Sequence, residues 1–292
     1  MSETADPPLT AAPAVARLHL GRAAVQVLAE RSRVDLLHIK GDAVEAAVRP
    51  PSSPGSDVDV LVRPEHARPF DRALRQSGWS VYSTFFSGSP FGHAQTYHHD
   101  IWGFLDVHRF FPGIGLAPSP AFRRLWDGRR SMDFAGVRCF VPSLPAQAVI
   151  VILNAARARR SLDPDGAWND ADRRREIESA VDQLDARLGF DAAFGRLDEH
   201  RGAREYRLWK AVTEGGGRID EWLGRVQAAP TLGARLVLVL RAPLVNGTHL
   251  EHALGRRPTP WDLVREFFAR PIRGIGETVS RARRLPRPPM RG

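Results

Sequence analysis

The sequence predicts an α+β protein: a small mixed β-sheet with flanking helices, followed by an all-helical C-terminal region. Two observations carry this expectation. Up to about residue 142, short apolar runs of strand character alternate with stretches of helical periodicity. From Ser143 to about residue 268, every signal is helical, punctuated by Gly189, Gly202, Gly215-Gly216-Gly217 and Pro230.

The elements follow in order. Residues 14–31 place Val15, Leu18, Val25 and Leu28 at helical spacing. Residues 36–40 form a short apolar strand ending at Gly41, and residues 42–49 read as a short helix with Asp42 as its N-cap. Residues 50–56 are loop by composition, and residues 57–62 form the next strand. Pro64 near a first turn and Gly78 as a stop bound a helix over 64–77. Strands are expected over 79–86, 93–99 and 102–110, a short helix over 120–126 and a hairpin over 131–141 around Gly136. The resulting division is a tail (1–13), an α/β unit (14–142), a helical unit (143–268) and a basic helix and tail (269–292).

Composition narrows the function. The chain has 292 residues and 43% hydrophobic content, enough for a sizeable core. Cys139 is the single cysteine, which excludes a disulfide framework and a thiolate metal cluster and fits a reducing cytoplasm. Arg235 and Arg241 interrupt the most apolar run, so no transmembrane segment is expected. The N-terminus lacks the basic start and apolar core of a signal peptide. The net charge is +9, and residues 269–292 hold seven arginines against Glu277 alone. Binding of RNA or an anionic surface therefore belongs to the C-terminus, where Ile272, Ile275 and Val279 also fit a packed terminal helix.

The chemistry concentrates in Gly55-Ser56-Asp57-Val58-Asp59-Val60-Leu61-Val62. Alternation along a strand puts Asp57 and Asp59 on one face and the valines on the other. Two adjacent carboxylates repel unless a cation joins them, and a hard divalent ion such as Mg²⁺ or Mn²⁺ suits oxygen ligands. A second apolar strand, Phe104-Leu105-Asp106-Val107-His108, carries a carboxylate at its centre, where an unpaired charge is costly. If the two strands are neighbours, Asp106 joins Asp57 and Asp59, and three carboxylates can hold two metal ions.

The order Ile39-Lys40-Gly41, then Ser56-Asp57-Val58-Asp59-Val60-Leu61-Val62, then Leu105-Asp106-Val107-His108 resembles the DNA polymerase β-like nucleotidyltransferase superfamily, and within it a bacterial group of uncharacterised nucleotidyltransferases. The resemblance covers residues 15–180. It implies the polymerase β-like nucleotidyltransferase fold, with Asp57, Asp59 and Asp106 as catalytic metal ligands. Lys40 and Gly41 fall at its phosphate-binding turn, with the N-terminus of the following helix adding N–H donors. Gly55 and Ser56 share the nucleotide-binding role. The turn stands farther ahead of the first Asp than the family's usual one, and Gly55-Ser56 abuts it instead. The implied reaction moves NMP from an NTP to a hydroxyl or phosphate of a small-molecule or modified-peptide acceptor and releases pyrophosphate. The alternatives are a toxin-type enzyme acting on tRNA and a non-catalytic nucleotide-binding or interaction module of the same fold.

Accessory candidates are His108, on the Asp106 face by parity, Arg49, the arginine nearest before the Asp strand, and Asp170, which also suits a helix cap. His98 and His99 point to opposite faces and cannot share a site. Arg157, Arg159 and Arg160 offer contacts to phosphate, but a solvated helix face is the better reading.

Overall fold

The computed structural model describes residues 13–50, 55–85, 91–160, 162, 166–229 and 231–241, with Leu254, Arg256, Thr259, Trp261, Asp262 and Arg265. The expected N-terminal tail, the centre of the 50–56 loop, Phe86 and the basic C-terminal helix lie outside the described residues.

Helix α1 (Ala14–Arg31) leads into β1 (Leu36–Ile39), β2 (Asp57–Val62), α2 (Ala67–Gln76), β3 (Ser80–Ser83), β4 (Ala94–His99) and β5 (Gly103–His108). These strands form one mixed sheet in the order β1-β2-β5-β4-β3. Strands β2 and β5 run parallel, and every other neighbouring pair is antiparallel. Helix α3 (Pro118–Asp127) precedes the hairpin of β6 (Arg130–Phe134) and β7 (Val137–Val141). All described elements from there to Arg241 are helical: α4 (Leu144–Arg157), α5 (Ala171–Gln183), α6 (Arg187–Ala193), α7 (Tyr206–Thr213), α8 (Arg218–Ala228) and α9 (Leu232–Arg241), with short 3-10 turns between some of them. The architecture is thus α+β, a five-stranded mixed sheet flanked by helices and followed by a helical region. No helix among the described residues is long and apolar enough to cross a membrane.

Strand alternation divides the core in two. Val58, Val60, Val62, Leu105, Val107 and Tyr97 pack with Leu18, Val25, Phe70 and Leu74 of α1 and α2. Each fully buried aliphatic side chain contributes roughly 1.5–3 kcal/mol. The opposite face offers Leu37, Ile39 and Leu61, which pack with Val149, Ile150 and Leu153 of α4. Helix α4 is apolar almost all round, as suits a helix enclosed on all sides: α5 and α6 press on it from beyond the sheet. Asp57, Asp59 and Asp106 belong to the α4 face, so the carboxylates lie between sheet and helical region.

Residues 42–49 do not form the expected helix. Only a 3-10 turn, Gly41–Ala43, appears. Arg49 folds back to donate to the Val44 carbonyl (2.8 Å), the Asp42 carboxylate (3.1 Å) and the Asp42 carbonyl (3.1 Å). These bonds satisfy the backbone that a helix would otherwise pair, and Pro50 follows directly. The expected helix N-terminus behind Gly41 is therefore absent, and Arg49 anchors this turn.

Candidate active site

The site is built from the parallel pairing of β2 and β5. Its register sets Asp59 directly opposite Asp106 and Asp57 opposite Phe104. From the next strand Thr96, opposite Asp106, donates its hydroxyl to Asp106 Oδ1 at 2.6 Å. His108, two residues on, is 0% exposed, and its Nε2 lies 2.8 Å from Asp59 Oδ1. Asp59 is 5% exposed and also accepts from Lys40 Nζ at 2.5 Å.

Lys40 reaches Asp59 by an unusual route. Alternation along β1 would put it on the His38 face, away from the carboxylates. At the strand end its backbone takes φ 62°, a conformation that costs a non-glycine residue about 1–3 kcal/mol, and the side chain crosses to the carboxylate face. Gly41 follows with φ 51°. Despite their distance in sequence, the two glycine turns touch: a Cβ on Gly41 would lie 3.8 Å from the Gly55 Cα. The same Cβ would meet Arg22 Nη2 at 2.8 Å. Gly41→Ala should therefore lower stability by about 1–3 kcal/mol, through both the positive φ and the collision; urea unfolding of the variant measures it.

Arg22 is the neighbour that the sequence reading missed. It is 1% exposed, donates one bond, to the Lys40 carbonyl (3.4 Å), and leaves Nε and Nη1 without hydrogen-bond partners. Burial lowers its pKa, while Asp59, Asp42 and Asp57 act in the opposite direction. Its sequence signal was a cation on the buried stripe of α1 that also holds Leu18, Val25 and Ala29.

The electrostatics describe a site short of positive charge. Burial, then the Asp59 charge, raises Asp57 above the ordinary carboxylate range. Burial and Asp59 push Asp106 up to about 6, against the opposing hydroxyl of Thr96. Burial, then the charges of Lys40 and Arg157, hold His108 well below its usual value and so neutral. A neutral ring next to a carboxylate is assigned Nε2–H, donating to Asp59. Lys40, Arg22 and Arg157 all lie in the field of Asp59, and Lys40 bonds it directly.

One ligand atom each from Asp59, Asp106 and His108 lies within 4.8 Å of the others. Two carboxylates and an imidazole form a donor set that fits a divalent cation. Asp57 stands outside this trio, at the first residue of β2, with Ser56 Oγ 3.3 Å from its Oδ1. Asp170 lies elsewhere, capping α5 by accepting from the Arg173 backbone N–H (2.8 Å). His98 packs on Phe104 and His99 on Trp79, on opposite faces.

Arg157 is not a solvated residue as its arginine-rich run suggested. Burial lowers its pKa to about 10, its Nη2 lies 3.1 Å from His93 Nε2, and its guanidinium packs over Phe91 and Phe111. The overlooked signal was its place one turn beyond Leu153 on the apolar helix α4.

No family model and no curated protein sequence matches the chain. Among solved structures, the antibiotic-resistance factor ANT(2'')-Ia matches with a TM-score of 0.37 and 14% identity, covering 64% of this chain and 96% of that one. An antigenic nucleotidyltransferase-like protein from Paracoccidioides brasiliensis matches with a TM-score of 0.36 and 14% identity, covering 64% and 89%. These are faint similarities in chain path, and the chemistry proposed below stands on side-chain geometry.

Proposed function

We propose that this chain is a metal-dependent nucleotidyltransferase that moves NMP from an NTP to a hydroxyl or phosphate oxygen of a small-molecule or modified-peptide acceptor. The observation that carries this reading is the register of Asp59 against Asp106 on one enclosed face, with Lys40 bonded to Asp59. Asp59 and Asp106 hold the cation, Mg²⁺ or Mn²⁺, with Asp57 and His108 as the further ligand candidates. When bound, that ion supplies charge neutralisation for the triphosphate and the developing transition state.

The remaining work falls to the protein. Lys40 and the paired glycine turns, Gly41 with Gly55-Ser56, receive the triphosphate, because glycine lets backbone N–H groups approach phosphate oxygens. Arg22 behind Gly41 holds the turn and adds positive potential. Asp106, placed beside Asp59 on the same face, is the carboxylate positioned to take the acceptor's proton. The acceptor oxygen then bonds to the α-phosphorus, the bond from that phosphorus to the bridging oxygen breaks, and pyrophosphate leaves. Such an in-line displacement depends on positioning and charge stabilisation rather than on a covalent enzyme intermediate.

The test incubates the protein with each α-labelled NTP, Mg²⁺ or Mn²⁺ and a cell extract, beside the Asp59→Asn variant. Label should move to a product in the wild type alone, and its size distinguishes a small molecule, a peptide and tRNA. Absence of both label transfer and metal-dependent NTP binding overturns the reading.

A further inference from the structure

We infer that the cavity beside Arg157 binds the acceptor through an anionic group, a phosphate or carboxylate, gripped by Arg157 and Arg159. This rests on the nucleotidyltransfer reading and names its second substrate. The cavity, about 220 Å³, opens where the end of α4 meets α7 and α8, lined by Phe91, Asn154, Arg157, Arg159, Val212 and Glu221.

Its position follows from a run of contacts. Lys40 Nζ lies 3.4 Å from His108 Nε2, and the His108 ring is 5.0 Å from the His93 ring. His93 Nε2 is 3.1 Å from Arg157, which lines the cavity. The triphosphate turn and the cavity therefore occupy the two ends of this run, with Asp59 bonded at its middle through His108.

Its chemistry follows from charge. Arg157 forms no ion pair among the described residues, and its Nη1 is enclosed without a hydrogen-bond partner. Enclosing an unpaired guanidinium is costly, and a bound anion offsets that cost. Arg159 has likewise no ion pair among the described residues, and its Nη1 lies 2.7 Å from where a Cβ on Gly215 would sit. Glu221 is the single acid among the lining residues, and Arg225 lies within its field. Two arginines thus dominate, and Phe91 offers an apolar wall. A neutral ligand would leave both guanidinium charges without a counter-ion; a small organic anion offsets them and also meets the ring.

The test is calorimetric titration of the metal-free full chain with phenyl phosphate, benzoate and neutral benzyl alcohol. At least one anion should bind saturably, one per chain, and the stronger of the two identifies the group recognised. Benzyl alcohol should bind at least about tenfold more weakly, and Arg157→Gln and Arg159→Gln should each weaken the anion about tenfold or more. Arg159 is exposed, so its variant keeps the test sound if Arg157→Gln fails to fold. Equal binding of the alcohol, no saturable anion binding, or wild-type affinity in Arg159→Gln overturns the inference. The two readings fail separately: anion binding without label transfer from any NTP counts against the reaction, and label transfer with anion affinity unmoved by Arg159→Gln counts against the cavity.

Discussion

Asp106→Asn should cut nucleotide transfer by at least about two orders of magnitude and, in metal-free protein at pH 8, unfold at a higher temperature than the wild type. The two effects share one cause. Folding raises the Asp106 pKa from 3.8 to about 6 through burial and the neighbouring Asp59 charge. The folded state thus binds this proton more tightly than the unfolded chain does. Ionisation then weakens the fold as pH rises from about 4 to 6, and the loss is complete above 6. A shift of this size, discounted for partial exposure, is worth about 2 kcal/mol. Asparagine removes the charge while its carbonyl still accepts from Thr96, so the variant's advantage should vanish below pH 4. Loss of the proton acceptor and of a metal ligand should reduce transfer by about 10²–10⁴. Thermal unfolding in EDTA and in Mn²⁺ checks both halves: the ion should stabilise the wild type and leave the variant unmoved. A variant less stable than wild type in EDTA at pH 8 would show that the carboxylate is not a source of strain.

Mild acid should unfold the protein, and His38 should be a principal cause. This imidazole is 0% exposed, both its nitrogens lack hydrogen-bond partners, and burial with the Arg22 charge lowers its pKa to about 3. Burial also lowers His93 and His108, so all three are neutral when folded. The unfolded chain takes up protons on these rings below about pH 6.5, and the folded chain resists. Stability contributed by His38 is therefore complete above 6.5 and is lost as pH falls toward 3. Between pH 6.5 and 5, His38 alone accounts for about 2 kcal/mol, against a total of about 5–15 kcal/mol for a typical domain. His93 and His108 act in the same direction, and Asp106 partly opposes them. His38→Leu removes the titration and the unpartnered nitrogens without touching the carboxylate face. Its urea midpoint should fall less steeply between pH 7 and 5; parallel curves for variant and wild type would assign the acid lability elsewhere.

The parts legible in the sequence were those governed by local periodicity. Helix α1 and strand β2 have the expected bounds because their apolar spacing and their burial agree. Alternation also sufficed to put Asp59, Asp106 and His108 on one face. Lys40 was legible as a candidate but not as a partner of Asp59, because its side chain crosses faces through a positive φ that alternation does not encode. In place of the helix expected over 42–49, Arg49 takes the Val44 and Asp42 carbonyls that helical pairing would have used and adds a bond to the Asp42 carboxylate. Arg22 and Arg157 escaped notice because an arginine-rich composition lowers the weight of any one arginine, and only packing separates buried cations from solvated ones.

The parallel pairing of β2 and β5 also ties the two carboxylates to long-range order. Parallel strands cannot be joined by a tight turn, so the whole of α2, β3 and β4 lies between Asp59 and Asp106 along the chain. The two residues meet only through a contact of high sequence separation, the kind that forms late and at a large entropic cost. Local unravelling of the sheet would part them, and the proposed cation site would be lost with that pairing.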